Sequence, residues 1–148
     1  MNKLWIILFS FTFLACSNGQ NSSSLSSKEF QDKITELGNV VILDVRTPDE
    51  FKGGTIENAV NADITSYDFT NVVQTLDKST PVMVFCLSGG RSKDAAKALR
   101  NMGFNTVYEL KGGILKWNAE NLPVVAPGNS STAKSDGMNY QDFLQLLG

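Results

Sequence analysis

The order of strand and helix patterns along this chain predicts an α/β fold with a mainly parallel sheet. Two uninterrupted apolar runs of strand length, Val40-Val41-Ile42-Leu43 and Val82-Met83-Val84-Phe85, read as strands covered on both faces. Segments with apolar residues at helical spacing lie between and after them, several closed by glycine. At 148 residues, with 42% hydrophobic content and a formal net charge of -2, the chain is long enough for one domain with a real core.

The elements follow in order. Ser26-Ser27-Lys28-Glu29 is a capping box, and Phe30, Ile34 and Leu37 follow at i, i+4 and i+7, so a helix is expected from about residue 27 to Gly38. The strand at 40–43 delivers Asp44-Val45-Arg46 to its C-terminal end. Thr47-Pro48-Asp49-Glu50-Phe51 turns into a short helix stopped by Gly53-Gly54, and Ala59-Val60-Asn61 fits a short strand. Residues 66–78 carry a weaker helical pattern through Phe69, Val72, Val73 and Leu76. After the strand at 82–85, Ala95, Ala96, Leu99 and Met102 share one face of a helix over about 91–102, which Gly103 ends. Thr106 to Leu110 reads as a further strand, and Gly112-Gly113 opens a helix carrying Ile114, Leu115 and Trp117.

The ends of the chain read differently. Residues 1–15 have a secretory layout, with Lys3 followed by an apolar run from Leu4 to Phe13 broken only by Ser10 and Thr12. A membrane span needs about 20 apolar residues, and polar residues crowd in from Ser17. Leu14-Ala15-Cys16 resembles the bacterial lipobox, which implies that Cys16 becomes the mature N-terminus and carries lipid; a simple signal peptide cut nearby is the alternative. The lipobox implies a protein anchored to a membrane of the bacterial cell envelope and facing the periplasm. Residues 16–26 form a polar tether, the domain is expected over 27–125, and residues 126–137 make a second polar linker. Tyr140, Phe143, Leu144 and Leu147 define an amphipathic helix over 138–148, which either packs back on the domain or opens a further one.

Composition excludes much chemistry. There is no histidine, so Ser-His-Asp and Cys-His machinery is absent, as are the commonest zinc sites, and no metal or other cofactor is expected. With no cluster of Lys and Arg, nothing suggests nucleic acid as a partner. The two cysteines, Cys16 and Cys86, would ordinarily suggest a disulfide in an exported protein, but lipid on Cys16 would leave Cys86 alone.

Cys86 stands where the strand ends, before Leu87-Ser88-Gly89-Gly90-Arg91-Ser92. In an open α/β sheet, sites lie beyond the C-terminal strand ends. Only the thiolate is a strong nucleophile, and without histidine it needs fixed positive potential. Two glycines let successive backbone N–H groups converge, the following helix aims its N-terminus at the same point, and Arg91 adds a permanent charge. Lowering the thiol pKa by two units corresponds to roughly 2.7 kcal/mol of thiolate stabilisation. The competing reading makes Cys86 a small buried hydrophobe. Arg91 at a first helical turn opposes the helix dipole, which suggests an anion for it to hold. Asp44 and Arg46 read first as a structural pair and second as support for the site.

Taken in order, Leu43-Asp44-Val45-Arg46, Glu50-Phe51, Gly54-Thr55-Ile56, Ala59-Val60-Asn61, Cys86 to Ser92, and Leu110-Lys111-Gly112-Gly113 with Trp117 resemble a single-domain rhodanese over residues 27–125. The resemblance implies a five-stranded parallel sheet flanked by helices. It also implies a cysteine, Cys86, that accepts sulfane sulfur as a persulfide in a cradle running through Arg91. Implied partners are a small sulfur donor (thiosulfate or a persulfide), a thiol or cyanide acceptor, and a thioredoxin-like reductant. Two positions depart from the family: Thr55 stands where histidine is frequent, and Leu87 where many thiosulfate-using members carry a basic residue. The fold also resembles that of a class of dual-specificity phosphatases, whose loop encloses five residues. Here Cys86 and Arg91 enclose four, a ring too tight for the three equatorial oxygens of a phosphoryl group and suited to a single sulfur. A catalytically silent module that binds a partner or carries persulfide sulfur is the rival reading, favoured by Leu87.

Overall fold

The computed structural model describes residues 21–127. The leader, Cys16, the helix expected over 138–148 and all but the first two residues of the linker at 126–137 lie outside the described residues.

Within them a strand, β1 (Asn21–Leu25), runs into α1 (Ser27–Leu37), whose first turn is closed as the sequence predicts. The Glu29 N–H donates to Ser26 Oγ, and the Ser26 N–H donates to Glu29 Oε2 at 2.8 Å. Gly38, at φ +68°, ends the helix in a conformation that favours glycine. The chain continues through β2 (Val41–Asp44), α2 (Pro48–Lys52), β3 (Ala59–Asn61), α3 (Asp68–Gln74), β4 (Val82–Phe85), α4 (Gly90–Asn101), β5 (Thr106–Leu110) and α5 (Gly113–Ala119). The five strands form one parallel sheet in the order β1-β5-β4-β2-β3.

β1 corrects the polar tether expected over residues 16–26. Asn21 to Leu25 pair in register with Thr106 to Leu110, and the Lys111 N–H donates to Leu25 O at 2.8 Å. A serine-rich stretch carries no hydrophobic signal, yet at a sheet edge the main-chain ladder and one partly buried side-chain contact suffice to hold it. That contact runs from the Ser24 hydroxyl to Glu109 Oε2 at 2.6 Å.

The central strands read as continuous apolar runs because both faces of the sheet are covered. Val82 and Val84 belong to a core with Leu43, Val73, Ala95, Leu99 and Phe104, on the side of α3 and α4. Met83 and Phe85 face the opposite core, with Phe30, Phe51, Ile114 and Trp117 on the side of α1, α2 and α5. Alternation along β4 therefore carries Cys86 to the same side as Val82 and Val84, where it is buried against the α4 core. Phe30 and Trp117 meet edge to face at 6.3 Å, and the Trp117 indole N–H donates to Pro123 O at 2.9 Å.

Asp44 and Arg46 form the structural pair that their spacing suggests. Asp44 is fully buried, and its Oδ2 lies 2.6 Å from Arg46 Nη2. The Thr55 hydroxyl donates to the same oxygen at 2.9 Å, and Arg46 Nη2 reaches Gly54 O at 2.7 Å. Thr55, where the family frequently has histidine, thus supplies a hydrogen bond of its own to the end of β2. Asp44→Ala should lower the unfolding free energy by about 3–5 kcal/mol in urea titrations, because it strands a buried guanidinium. Replacing Asp44 and Arg46 together by apolar residues of similar volume should cost less than the single change.

Candidate active site

The site is built where β4, α4 and α5 meet. Cys86 follows the last residue of β4 and is 1% exposed. The chain then turns through Leu87, Ser88 and Gly89 into α4. Gly89 sits at φ +101°, and a Cβ there would press on Gly112 N and Glu109 Oε1 at 3.3 and 3.4 Å. In that conformation the Gly89 N–H donates to Cys86 Sγ at 3.1 Å. Ser92 Oγ lies 3.5 Å from the sulfur.

The loop is held from behind by the β5–α5 turn. The Ile114 N–H donates to Cys86 O at 2.9 Å and the Leu115 N–H to Leu87 O at 3.1 Å. Gly113, at φ +61°, permits this approach, because a Cβ there would overlap the carbonyl oxygens of Cys86 and Leu87. With these carbonyls engaged by α5, the loop's N–H groups are left for the sulfur. Burial opposes ionisation of Cys86 and is the strongest single influence on it. The Ser92 hydroxyl and the backbone N–H groups of Ser92, Gly89 and Ser88 together outweigh burial and hold the thiol below its ordinary pKa.

Arg91 is placed differently from the sequence expectation. Rather than standing as an open anion holder, its guanidinium grips Glu50 of α2 through two bonds of 2.8 Å, Nη1 to Oε2 and Nη2 to Oε1. That bidentate contact, opposed by partial burial and aided by Thr47, lowers the Glu50 carboxyl from the usual 4.5 to about 2. Glu50 in turn raises the Arg91 pKa, and the negative charges of Cys86 and Asp63 add to that. Leu87 is half-buried and packs against the core containing Phe30 and Trp117, so its side chain serves the α5 side rather than the sulfur. Ser88 and Gly90 are exposed and form the outer rim of the loop.

The structure also brings in residues that motif reasoning passed over. Glu50 appears in the sequence as part of a helix start and of the family resemblance, but no local pattern reveals its partner forty-one residues on. Glu109 is 4% exposed, and its Oε1 accepts the Ser92 hydroxyl at 2.8 Å. A glutamate in an otherwise apolar strand pattern, Thr106-Val107-Tyr108-Glu109-Leu110, was the available signal, since a fully buried glutamate is rare without a partner.

Two outcomes test this geometry. Gly113→Ala should push the loop off α5, and the midpoint of the pH-dependent alkylation of Cys86 should move up from a native value below the free-cysteine pKa of about 8.5. The Glu50–Arg91 pair should add of order 1 kcal/mol to stability after solvent screening. Because the folded Glu50 value lies below the unfolded one, that contribution is present above pH 4.5 and is lost as pH falls toward 2. Acid unfolding of Glu50→Gln should lack this component.

Residues 26–120 match the family model described as "Rhodanese-like domain". The chain is 30% identical over 105 residues to an Allochromatium vinosum protein named "Sulfurtransferase", covering 71% of this chain and 96% of that one. It is 32% identical over 102 residues to a Pelagibacter ubique protein named "tRNA uridine(34) hydroxylase", covering 68% of this chain, and it spans only 34% of that relative. Among solved structures, a rhodanese-related protein from Thermoplasma volcanium superposes with a TM-score of 0.61 at 30% identity, covering 70% of this chain and 97% of that one. The polysulfide-sulfur transferase of Wolinella succinogenes, a homodimer, gives 0.59 at 31% identity, with coverage of 76% and 85%. A parallel sheet in the order 1-5-4-2-3, a cysteine loop at the end of its central strand and a family match across most of the described residues lead to one assignment: the chain belongs to the rhodanese-like domain family.

Proposed function

We propose that this protein is a sulfurtransferase that moves sulfane sulfur through a persulfide on Cys86 to a nucleophilic acceptor. The observation that carries this is the environment of the sulfur: a Gly89 N–H at 3.1 Å, Ser92 Oγ at 3.5 Å and a pKa below the ordinary thiol value in a chain without histidine. Family membership and a relative named for sulfur transfer support it.

The Cys86 thiolate attacks the sulfane sulfur of the donor. One S–S bond forms to Cys86, the donor's bond to that sulfur breaks, and the leaving group departs with the electron pair. The terminal sulfur of the persulfide carries negative charge, and the N–H groups of the loop are the donors placed to receive it. A thiol or cyanide acceptor then attacks that terminal sulfur, and the Cys86 thiolate leaves. A thioredoxin-like reductant is one such thiol source.

Charge narrows the donor. Arg91 spends its bidentate face on Glu50, and Leu87 supplies no cation, so a thiosulfate dianion would meet little uncompensated positive charge. A monoanionic persulfide or polysulfide fits this balance better. The near-complete cover of Cys86 likewise favours a slender donor that delivers one sulfur. The same cover is the observation that favours a module that carries persulfide without rapid turnover. Lipid on Cys16 would hold the domain at a membrane of the cell envelope, a placement that rests on the leader's composition.

Incubation with a persulfide donor should add the mass of one sulfur atom to Cys86, and cyanide or a thiol should remove it. Cys86→Ser should lose both the adduct and all turnover; an adduct in that variant would place the chemistry elsewhere. Arg91→Ala should reduce turnover by on the order of tenfold to a hundredfold. An adduct that forms while steady-state turnover stays at background would select the carrier module.

A further inference from the structure

Glu109 is the one member of the site that the sulfur-transfer scheme leaves unused. Two of the other buried or half-buried carboxylates have an arginine: Asp44 has Arg46, and Glu50 has Arg91. Glu109 instead accepts hydrogen bonds from two serine hydroxyls, Ser92 at 2.8 Å on Oε1 and Ser24 at 2.6 Å on Oε2. Such a carboxylate can take up a proton without breaking either of these contacts beyond a hydroxyl rotation.

Ser92 has a single hydroxyl proton to give. Its oxygen lies 2.8 Å from Glu109 Oε1, 3.2 Å from Gly89 O and 3.5 Å from Cys86 Sγ. The shortest contact takes the proton, so the hydroxyl donates to Glu109 and its oxygen is left to accept the thiol proton. Sulfur, hydroxyl and carboxylate then form one directed chain, from Cys86 S–H through Ser92 to Glu109. On its other side Glu109 lines a surface pocket of about 180 Å³ with Ser23, Ser24, Lys93, Ala96 and Arg100. It stands between the covered sulfur and solvent.

We infer that Glu109 is the proton acceptor for Cys86, working through the Ser92 hydroxyl and exchanging with solvent by way of the pocket behind it. The Cys86 S–H bond breaks as Ser92 Oγ takes its proton, and the Ser92 proton passes to Glu109 Oε1. The products are a thiolate that now accepts from Ser92 and a neutral carboxylic acid; no electrons change hands. When an acceptor releases the Cys86 thiolate, the same path returns the proton. Net charge at the site is constant through the transfer, which matters where the sulfur is 1% exposed and water cannot compensate a new charge. The charged groups around this path are Lys93 and Arg100 at the pocket, and Arg91, which interacts with Cys86, Glu50 and Asp63. The inference builds on Cys86 as the nucleophile, but its test reads thiol ionisation and not sulfur transfer, so the two fail separately.

The experiment is the pH dependence of alkylation by iodoacetamide on the full-length chain, with peptide mass spectrometry separating Cys86 from Cys16. In the native protein the reactive thiolate with protonated Glu109 carries the same total charge as the resting pair, so its population does not depend on pH. Below the main midpoint the rate should therefore level off. Glu109→Gln preserves the shape and the acceptor for Ser92 but cannot take a proton. It should fall about tenfold per pH unit below the midpoint, as a single ionisation requires, and match the native rate above it. Ser92→Ala should lose the level region too, and the double variant should be no slower there than the slower single one, as expected for residues acting in one chain. A native rate that itself falls tenfold per pH unit overturns the proposal whether or not the variants fold. So does a Glu109→Gln profile that superimposes on the native one, or that shifts as a whole to lower pH, as simple removal of a like charge would give.

Discussion

The site depends on one contact: the seating of the Cys86 and Leu87 carbonyls on the first turn of α5. Those two hydrogen bonds, from the N–H groups of Ile114 and Leu115, decide which way the peptide planes of the loop face. With the carbonyls turned toward α5, the N–H groups are free to face the sulfur. Two residues without side chains make this affordable, Gly89 at the turn and Gly113 against the carbonyls, both at positive φ. Trp117 and Ile114 then pin α5 to the core with Phe30, so α5 transmits the rigidity of that core to the loop.

Electrostatics around this loop divide into distinct arrangements. Asp44 and Arg46 neutralise each other below the end of β2 and fasten the Gly54-Thr55 segment, an assignment to folding rather than to chemistry. Arg91 and Glu50 do the same at the rim, joining α4 to α2. Glu109 lies closest to the sulfur in connectivity, one hydroxyl away. A cation beside a thiolate lowers the cost of charge by attraction, whereas a carboxylate reached through a hydroxyl lowers it by giving the proton somewhere to go. At this site the cation is engaged by Glu50, which leaves the hydroxyl-linked carboxylate as the device next to the sulfur.

How much of this was legible in the sequence follows from the range of the interactions. Periodicity located α1, α4 and the central strands, and capping patterns located the starts of α1 and α2, because such signals are local. Cys86 and its loop were legible for the same reason: a cysteine at a strand end, two glycines and an arginine lie within seven residues. β1 was not, since its serines join the sheet through main-chain pairing with β5, more than eighty residues away. Arg91 was recognised as a charge but not as a partner, because Glu50 is placed opposite it only by the fold. Glu109 gave one signal, a carboxylate in a strand pattern, and nothing local names the serines it meets in the fold.

The lack of histidine makes the arrangement coherent rather than deficient. Histidine serves cysteine chemistry by being a base near neutrality and a cation once protonated. Here the two roles are separated: the hydrogen-bond donors of the loop stabilise negative charge on the sulfur, and the Ser92–Glu109 pair supplies a place for the proton. Separation would suit the proposed anionic persulfide, because an imidazolium would be needed as a cation while it was also needed as a base for the next thiol. The loop of four residues between Cys86 and Arg91 brings the Gly89 N–H to 3.1 Å from the Cys86 sulfur. A phosphoryl group would require donors spread over three oxygens, whereas Gly89 is backed by Gly112 N and Glu109 Oε1, 3.3 and 3.4 Å from where a Cβ would stand. The seating that orients the loop therefore also supports the proposed preference for sulfur over phosphate.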